Sequence, residues 1–245
     1  MLAQLRQVLR THLLPRRHTS LLVALVVLFA ARPLTGNAGI APLVFSLALL
    51  SVLLVALYTV QVDELVGERE VLVRQKRRRN RIAWLLAVPA VLERVLATIA
   101  PSHRAYLLGA IFWWLALTFV TLNQLRNLLR QKEVTGEIIS MAIAVYLLLG
   151  ISWGIFYIVI FLYDPLSFNL GGFQGGGEVQ AFPIFFYFSL TTLSTIGFGD
   201  ITPLSLQARY AAVAEGIVGQ FYLAILVARL VALQMSETSK ETSGR

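Results

Sequence analysis

The sequence predicts an all-α membrane protein of six transmembrane helices, with a short re-entrant helix and an irregular glycine-bearing loop between the fifth and the sixth. Three observations predict it. The 245 residues are 57% hydrophobic and only 14% charged, with a mean hydropathy of +0.73, whereas a soluble domain carries about 25% charged residues. The apolar residues gather in blocks long enough to cross a hydrocarbon layer of roughly 30 Å at 1.5 Å per helical residue. Lysine and arginine crowd into the connections on one side of those blocks.

Six blocks can be marked, at residues 19–34, 38–62, 82–100, 105–122, 138–162 and 208–235. A seventh, at 181–193, has 13 residues, too few to span as a helix and suited to a re-entrant segment. Sixteen basic residues fall on one side, in the N-terminal stretch, the loops after the second and fourth blocks and the tail, against Arg32 and Arg104 on the other. That excess assigns both termini to the cytoplasm of a cell-membrane protein. A cleaved signal peptide is the competing reading of the N-terminus, with a basic region, an apolar core at 21–29 and small residues Ala30 and Ala31.

Four regions follow: a basic amphipathic segment at 1–18, a four-helix membrane domain at 19–130, a second membrane domain at 131–235 and a polar tail at 236–245. Leu2, Leu5, Leu9 and Leu13 share one helical face and Arg6 and Arg10 another, which reads either as an interfacial helix or as a frayed basic arm. The net charge of +8 is topology, not a nucleic-acid footprint, because the charges sit in loops. The chain has no cysteine, which excludes disulfides and thiolate metal sites. His12, His18 and His103 are far apart in sequence and suggest no metal cluster.

The chemistry lies between the last two blocks. Pro183 suits the first turn of a helix. The short aromatic helix that follows runs into Thr195-Ile196-Gly197-Phe198-Gly199-Asp200. Irregular backbone survives at membrane depth only where protein surrounds it or it lines a watery path. A cation crossing there must exchange its hydration oxygens for others, and successive backbone carbonyls aimed at one axis supply them when several chains contribute. Aiming adjacent carbonyls alike demands alternating backbone handedness, which Gly197 and Gly199 adopt cheaply. The helix before the loop directs its partly negative end at the same place.

This stretch resembles the signature of the tetrameric potassium channel family, T-x-G-[YF]-G-D behind a pore helix. The likeness is to a six-transmembrane prokaryotic-type subunit and is strongest over 138–235. The resemblance implies a potassium-selective, passively conducting homotetramer, not an enzyme, with K+ as the permeant ion and no cofactor. The K+ sites would be the carbonyls of Thr195, Ile196, Gly197 and Phe198 together with the Thr195 hydroxyl, with Gly199 and Asp200 at the outer mouth. Gly219, with Gly216 one turn earlier, lies at the spacing of the family's inner-helix gating hinge. Several relatives bond the filter aspartate to a pore-helix tryptophan; here Tyr187 would offer its hydroxyl to Asp200. No acidic residue occurs in the pore helix, so a carboxylate pair behind the filter is absent.

The fourth block contains no basic residue. It therefore lacks the regularly spaced arginines of a voltage sensor, and strong voltage gating is not expected. Glu93 and Arg94 fall inside the third block, as an intramembrane pair or as wet charges at the interface. Glu215, four residues before Gly219, is a candidate to tune the filter, or else a plain helix–helix contact. Arg74, Lys76, Arg77, Arg78, Arg79 and Arg81 read as a topology anchor or as a site for anionic lipid. The glycine-rich stretch 171–177 would be a flexible outer turret. Two other functions stay open: a weakly selective cation channel, or a non-conducting membrane sensor or assembly subunit that keeps the pore fold.

Overall fold

The computed structural model describes residues 17–35, 41–65, 81–92, 102–131, 134–172 and 181–243. Among the described residues its helices are α1 (Arg17–Thr35), α2 (Ala41–Leu65), α3 (Arg81–Leu92), α4 (His103–Leu128), the outer helix α5 (Gly136–Tyr163), α6 (Ala181–Leu193), which is the helix expected as the pore helix, and the inner helix α7 (Leu206–Ser243). Among the described residues, His103–Leu128, Gly136–Tyr163 and Leu206–Leu233 are long and apolar enough to cross a membrane. The apolar stretches of α1, α2 and α3 are shorter, at His18–Ala31, Val44–Thr59 and Arg81–Leu92. Glu93, Arg94, the amphipathic stretch 1–14, five of the six clustered basic residues at 74–81 and the turret beyond Gly172 lie outside the described residues.

Local chemistry sets the helix ends. The Ser102 hydroxyl accepts the Ala105 N–H at the start of α4, and Thr135 accepts the Ile138 N–H at the start of α5, each satisfying a first-turn donor. α5 stops at Asp164 because Pro165 follows. A residue before proline is driven out of the helical region, and Asp164 sits at φ −137, ψ 97. Ser205 opens α7 by accepting the Ala208 N–H. α7 then runs to Ser243, so the stretch expected from 236 as a polar tail continues the inner helix.

α1 packs on α2 and α5. Glu137, in the first turn of α5, accepts the His18 N–H at 3.1 Å and the Thr19 hydroxyl at 2.6 Å. One carboxylate thus serves the positive ends of two helices. At the same end of the bundle the Arg229 guanidinium on α7 donates to the Gln131 carbonyl at 2.6 Å.

The pore helix is seated in a groove of α5. A Cβ at Gly150 would lie 2.8 Å from Leu190 Cδ2. One at Gly154 would lie 2.5 Å from Phe186 Cδ1 and 3.2 Å from the Phe185 carbonyl. Glycine at these two positions, one turn apart, lets the aromatic pore helix approach the outer-helix backbone. Tyr157, Phe168, Phe185 and Phe188 then interlock, mostly edge to face, a geometry favoured by the ring quadrupoles.

Candidate functional site

The loop after the pore helix begins as a helix terminus. The Thr195 N–H donates to the Thr192 carbonyl at 3.0 Å and the Ile196 N–H to the Thr191 carbonyl at 2.9 Å. This pair of reversed bonds closes a helix when the residue between is left-handed, a position glycine usually fills. Here it is Thr195, at φ 60. A β-branched residue in this region is an outlier, and such strain concentrates at functional positions. Thr195 supplies a hydroxyl that glycine lacks, and Gln220 Nε2 on the inner helix lies 3.4 Å from it. We predict that Thr195→Gly leaves the unfolding temperature unchanged or raised, since the left-handed penalty of about 1–2 kcal/mol disappears. Thermal unfolding of variant and wild type in one preparation checks the sign.

Beyond Thr195 the backbone alternates. Gly197 and Gly199 take φ 55 and φ 77, and a Cβ at either would meet nothing within 4 Å. These glycines are required by backbone conformation, not by crowding. All six residues from Thr195 to Asp200 are exposed on a single chain, Phe198 by 68% and Ile196 by 59%.

Two fastenings hold the outer end. The Tyr187 hydroxyl donates to Asp200 Oδ2 at 2.8 Å, while Oδ1 accepts the Ile201 N–H at 3.0 Å. Phe198 stacks parallel on the Tyr187 ring, with centroids 6.2 Å apart. Then β2 (Thr202–Pro203) pairs antiparallel with β1 (Phe168–Asn169), and the Leu204 N–H reaches the Ser167 carbonyl at 2.8 Å. Gly171 turns at φ 61, where a Cβ would meet the Asp200 carbonyl at 2.6 Å. The chain leaving the loop is thereby tied to the chain leaving the outer helix. Tyr187→Phe should remove one of the two anchors on Asp200 and speed amide hydrogen exchange at Ile201; unchanged exchange would deny Tyr187 that role.

Behind the loop the inner helix presents Ala208, Ala211, Glu215, Gly219 and Tyr222 on a buried stripe, spaced as one helical face. Glu215 is 0% exposed. Its Oε2 accepts the Tyr157 hydroxyl at 2.5 Å, and its Oε1 meets the Ser189 hydroxyl. Ser189 Oγ also lies 2.6 Å from the Gly150 carbonyl. Outer helix, pore helix and inner helix therefore converge on one carboxyl group. Gly219 faces the end of the pore helix so closely that a Cβ there would collide with the Leu193 carbonyl, whereas one at Gly216 would lie 3.9 Å from the Thr192 carbonyl. Tyr146 donates to the same Leu193 carbonyl at 3.3 Å.

The structure thus brings Thr195, Gly197, Gly199, Asp200, Tyr187, Glu215 and Gly219 around the short helix Ala181–Leu193 and the loop that leaves it. Sequence reasoning did not single out Tyr157, Ser189, Gly150 or Gly154. The paired glycines four apart in an apolar span were a usable signal of close helix packing. Nothing in the sequence marked one tyrosine or one serine as partners of Glu215. Among the described residues no group of three or more His, Cys, Asp or Glu is placed to hold a metal ion.

No curated protein and no solved structure matches the chain. Residues 145–235, from the outer helix through the pore helix and loop to the inner helix, match the family model described as Ion channel.

Proposed function

We propose that this chain is the subunit of a homotetrameric, potassium-selective channel in the cell membrane, with both termini in the cytoplasm, conducting K+ passively through the loop Thr195–Asp200. The observation that carries the reading is the backbone of that loop. Thr195, Gly197 and Gly199 are all left-handed within five residues, at the end of a short helix held between two helices long and apolar enough to cross a membrane. Alternating handedness turns consecutive carbonyls toward a common side, so that oxygens of Thr195, Ile196, Gly197 and Phe198, with the Thr195 hydroxyl, replace the water a potassium ion sheds. Gly199 and Asp200 form the outer mouth, and Tyr187 braces it.

One loop encloses nothing, so several copies must surround the axis, and the loop's resemblance to the tetrameric potassium channels sets their number at four. The exposed apolar side chains Val213, Ile217, Phe221 and Ile225 run down one face of the inner helix, beside the exposed loop. A ring of four copies faces some of them inward and covers others at subunit contacts, with cyclic symmetry closing the ring. Gly219 and Gly216 remain candidates for an inner-helix hinge. The basic residues Arg74, Lys76, Arg77, Arg78, Arg79 and Arg81 would engage anionic lipid at the inner leaflet.

Reversal potentials in planar bilayers with unequal K+ and Na+ test the reading. A K+-selective channel reverses near the K+ equilibrium potential and is blocked by barium. A reversal near zero makes it a weakly selective cation channel, and absence of current under every voltage, pH and lipid condition removes conduction altogether.

A further inference from the structure

We propose that Glu215 carries a proton, and that as a neutral carboxylic acid it is the positioning residue which closes a directed hydrogen-bond chain across the outer, inner and pore helices. The proposal deepens the channel reading, on which it rests for its consequence but not for its geometry.

The argument is a count of hydrogens. Four groups stand in series: the Tyr157 hydroxyl, the Glu215 carboxyl, the Ser189 hydroxyl and the Gly150 carbonyl. Three contacts join them, Tyr157 to Oε2 at 2.5 Å, Oε1 to Ser189, and Ser189 to Gly150 at 2.6 Å. Oxygens this close need a hydrogen between them. Tyrosine and serine bring one each and a carbonyl brings none. Two hydrogens fill three contacts only if Ser189 divides its single hydrogen between Glu215 and Gly150. An ionised carboxylate would leave both of those contacts with half a donor. A protonated carboxyl supplies the missing hydrogen: Oε1–H donates to Ser189, Ser189 donates to Gly150, and Tyr157 donates to Oε2.

The surroundings agree. Glu215, Tyr157 and Ser189 are each 0% exposed, and both partners of the carboxyl are neutral hydroxyls. Among the described residues no cation pairs with Glu215, and an anion buried without a compensating charge is strongly unfavourable. The consequence is mechanical. A neutral Glu215 adds no negative field behind the filter. It pins the pore helix at Ser189, six residues before Thr195, to both flanking helices at once.

Infrared difference spectroscopy on the purified full-length protein, wild type minus Glu215→Gln at neutral pH, tests this. The expected result is the carbonyl stretch of a protonated carboxylic acid in wild type and its loss in the variant. The variant should keep the wild-type unfolding temperature, because its amide can donate to Ser189 and accept from Tyr157. A difference spectrum showing only ionised-carboxylate stretches overturns the proposal, whether or not the protein conducts. Should Glu215→Gln not be recovered, Tyr157→Phe replaces it. Removing the donor to Oε2 should shift the carboxylic-acid stretch to higher frequency, and an absent or unshifted band overturns the proposal. The band together with silent bilayers would retain the protonated chain and reject the channel reading instead.

Discussion

Gly219→Ala is expected to lose about 1–3 kcal/mol of stability and, on the potassium-channel reading proposed above, K+ selectivity, while Gly216→Ala, one turn away on the same helix, stays close to wild type. The pair differs in what the added methyl meets. At Gly219 it would run into the Leu193 carbonyl, and Leu193 Cδ1 lies only 3.0 Å from the same point. A backbone oxygen cannot step aside as a flexible side chain can, so the end of the pore helix must move. Thr195 follows two residues later and carries the displacement into the loop. At Gly216 the closest atom would be at 3.9 Å, an ordinary contact. The comparison also separates two roles for these glycines. If Gly219 matters as a hinge, a bulkier residue there alters gating and leaves selectivity intact. If it matters because the pore helix rests on it, selectivity fails first. Permeability ratios and open probability measured on both variants distinguish the outcomes.

Glu215→Ala should be the most damaging single change in the inner helix. It deletes the acceptor of Tyr157 and the partner of Ser189 in a site with no exposure. An unsatisfied buried polar group costs roughly 1–3 kcal/mol; Tyr157 becomes one while Ser189 keeps the Gly150 carbonyl, so with the space left by the side chain the loss is on the order of 2–4 kcal/mol. The loss should show as a lower unfolding temperature. Ser189→Ala should cost less, because Tyr157 keeps its acceptor. A Glu215→Ala protein as stable as wild type would mean that the three helices hold together without this junction.

Much of the fold was legible because the bilayer imposes a simple rule. Backbone polar groups must be satisfied within the segment, so long apolar runs become helices. The 13-residue block read as too short to span is a single short helix, Ala181–Leu193. The left-handed glycines were readable for a similar local reason, since Gly197 and Gly199 alternate with larger residues in a stretch that cannot continue as helix. The inner helix was legible in place but not in length. Its apolar pattern ends near Met235, yet helical backbone continues to Ser243, as a polar segment does when the preceding turns are already formed.

The left-handed Thr195 was not legible. Its conformation comes from how the pore helix terminates, with the Ile196 N–H returning to the Thr191 carbonyl, and β-branched residues disfavour that conformation on their own. The roles of Tyr157 and Ser189 were equally hidden. Each is 26 or more residues from Glu215, and pairing at such range depends on how three helices cross. The same holds for Gly150 and Gly154, whose spacing announces a close approach without naming the partner.

By itself, then, the sequence determined which segments are apolar helices, which one is too short to cross, and where the backbone must turn left-handed at glycine. Those are consequences of composition and of local steric freedom, which act over a few residues. Only the tertiary structure decided which glycines are seats for other helices, that Thr195 bears the strain of a helix end, and that a buried carboxyl joins three helices behind the loop. These depend on contacts between distant segments, where packing and hydrogen-bond satisfaction select one partner among many that local sequence permits.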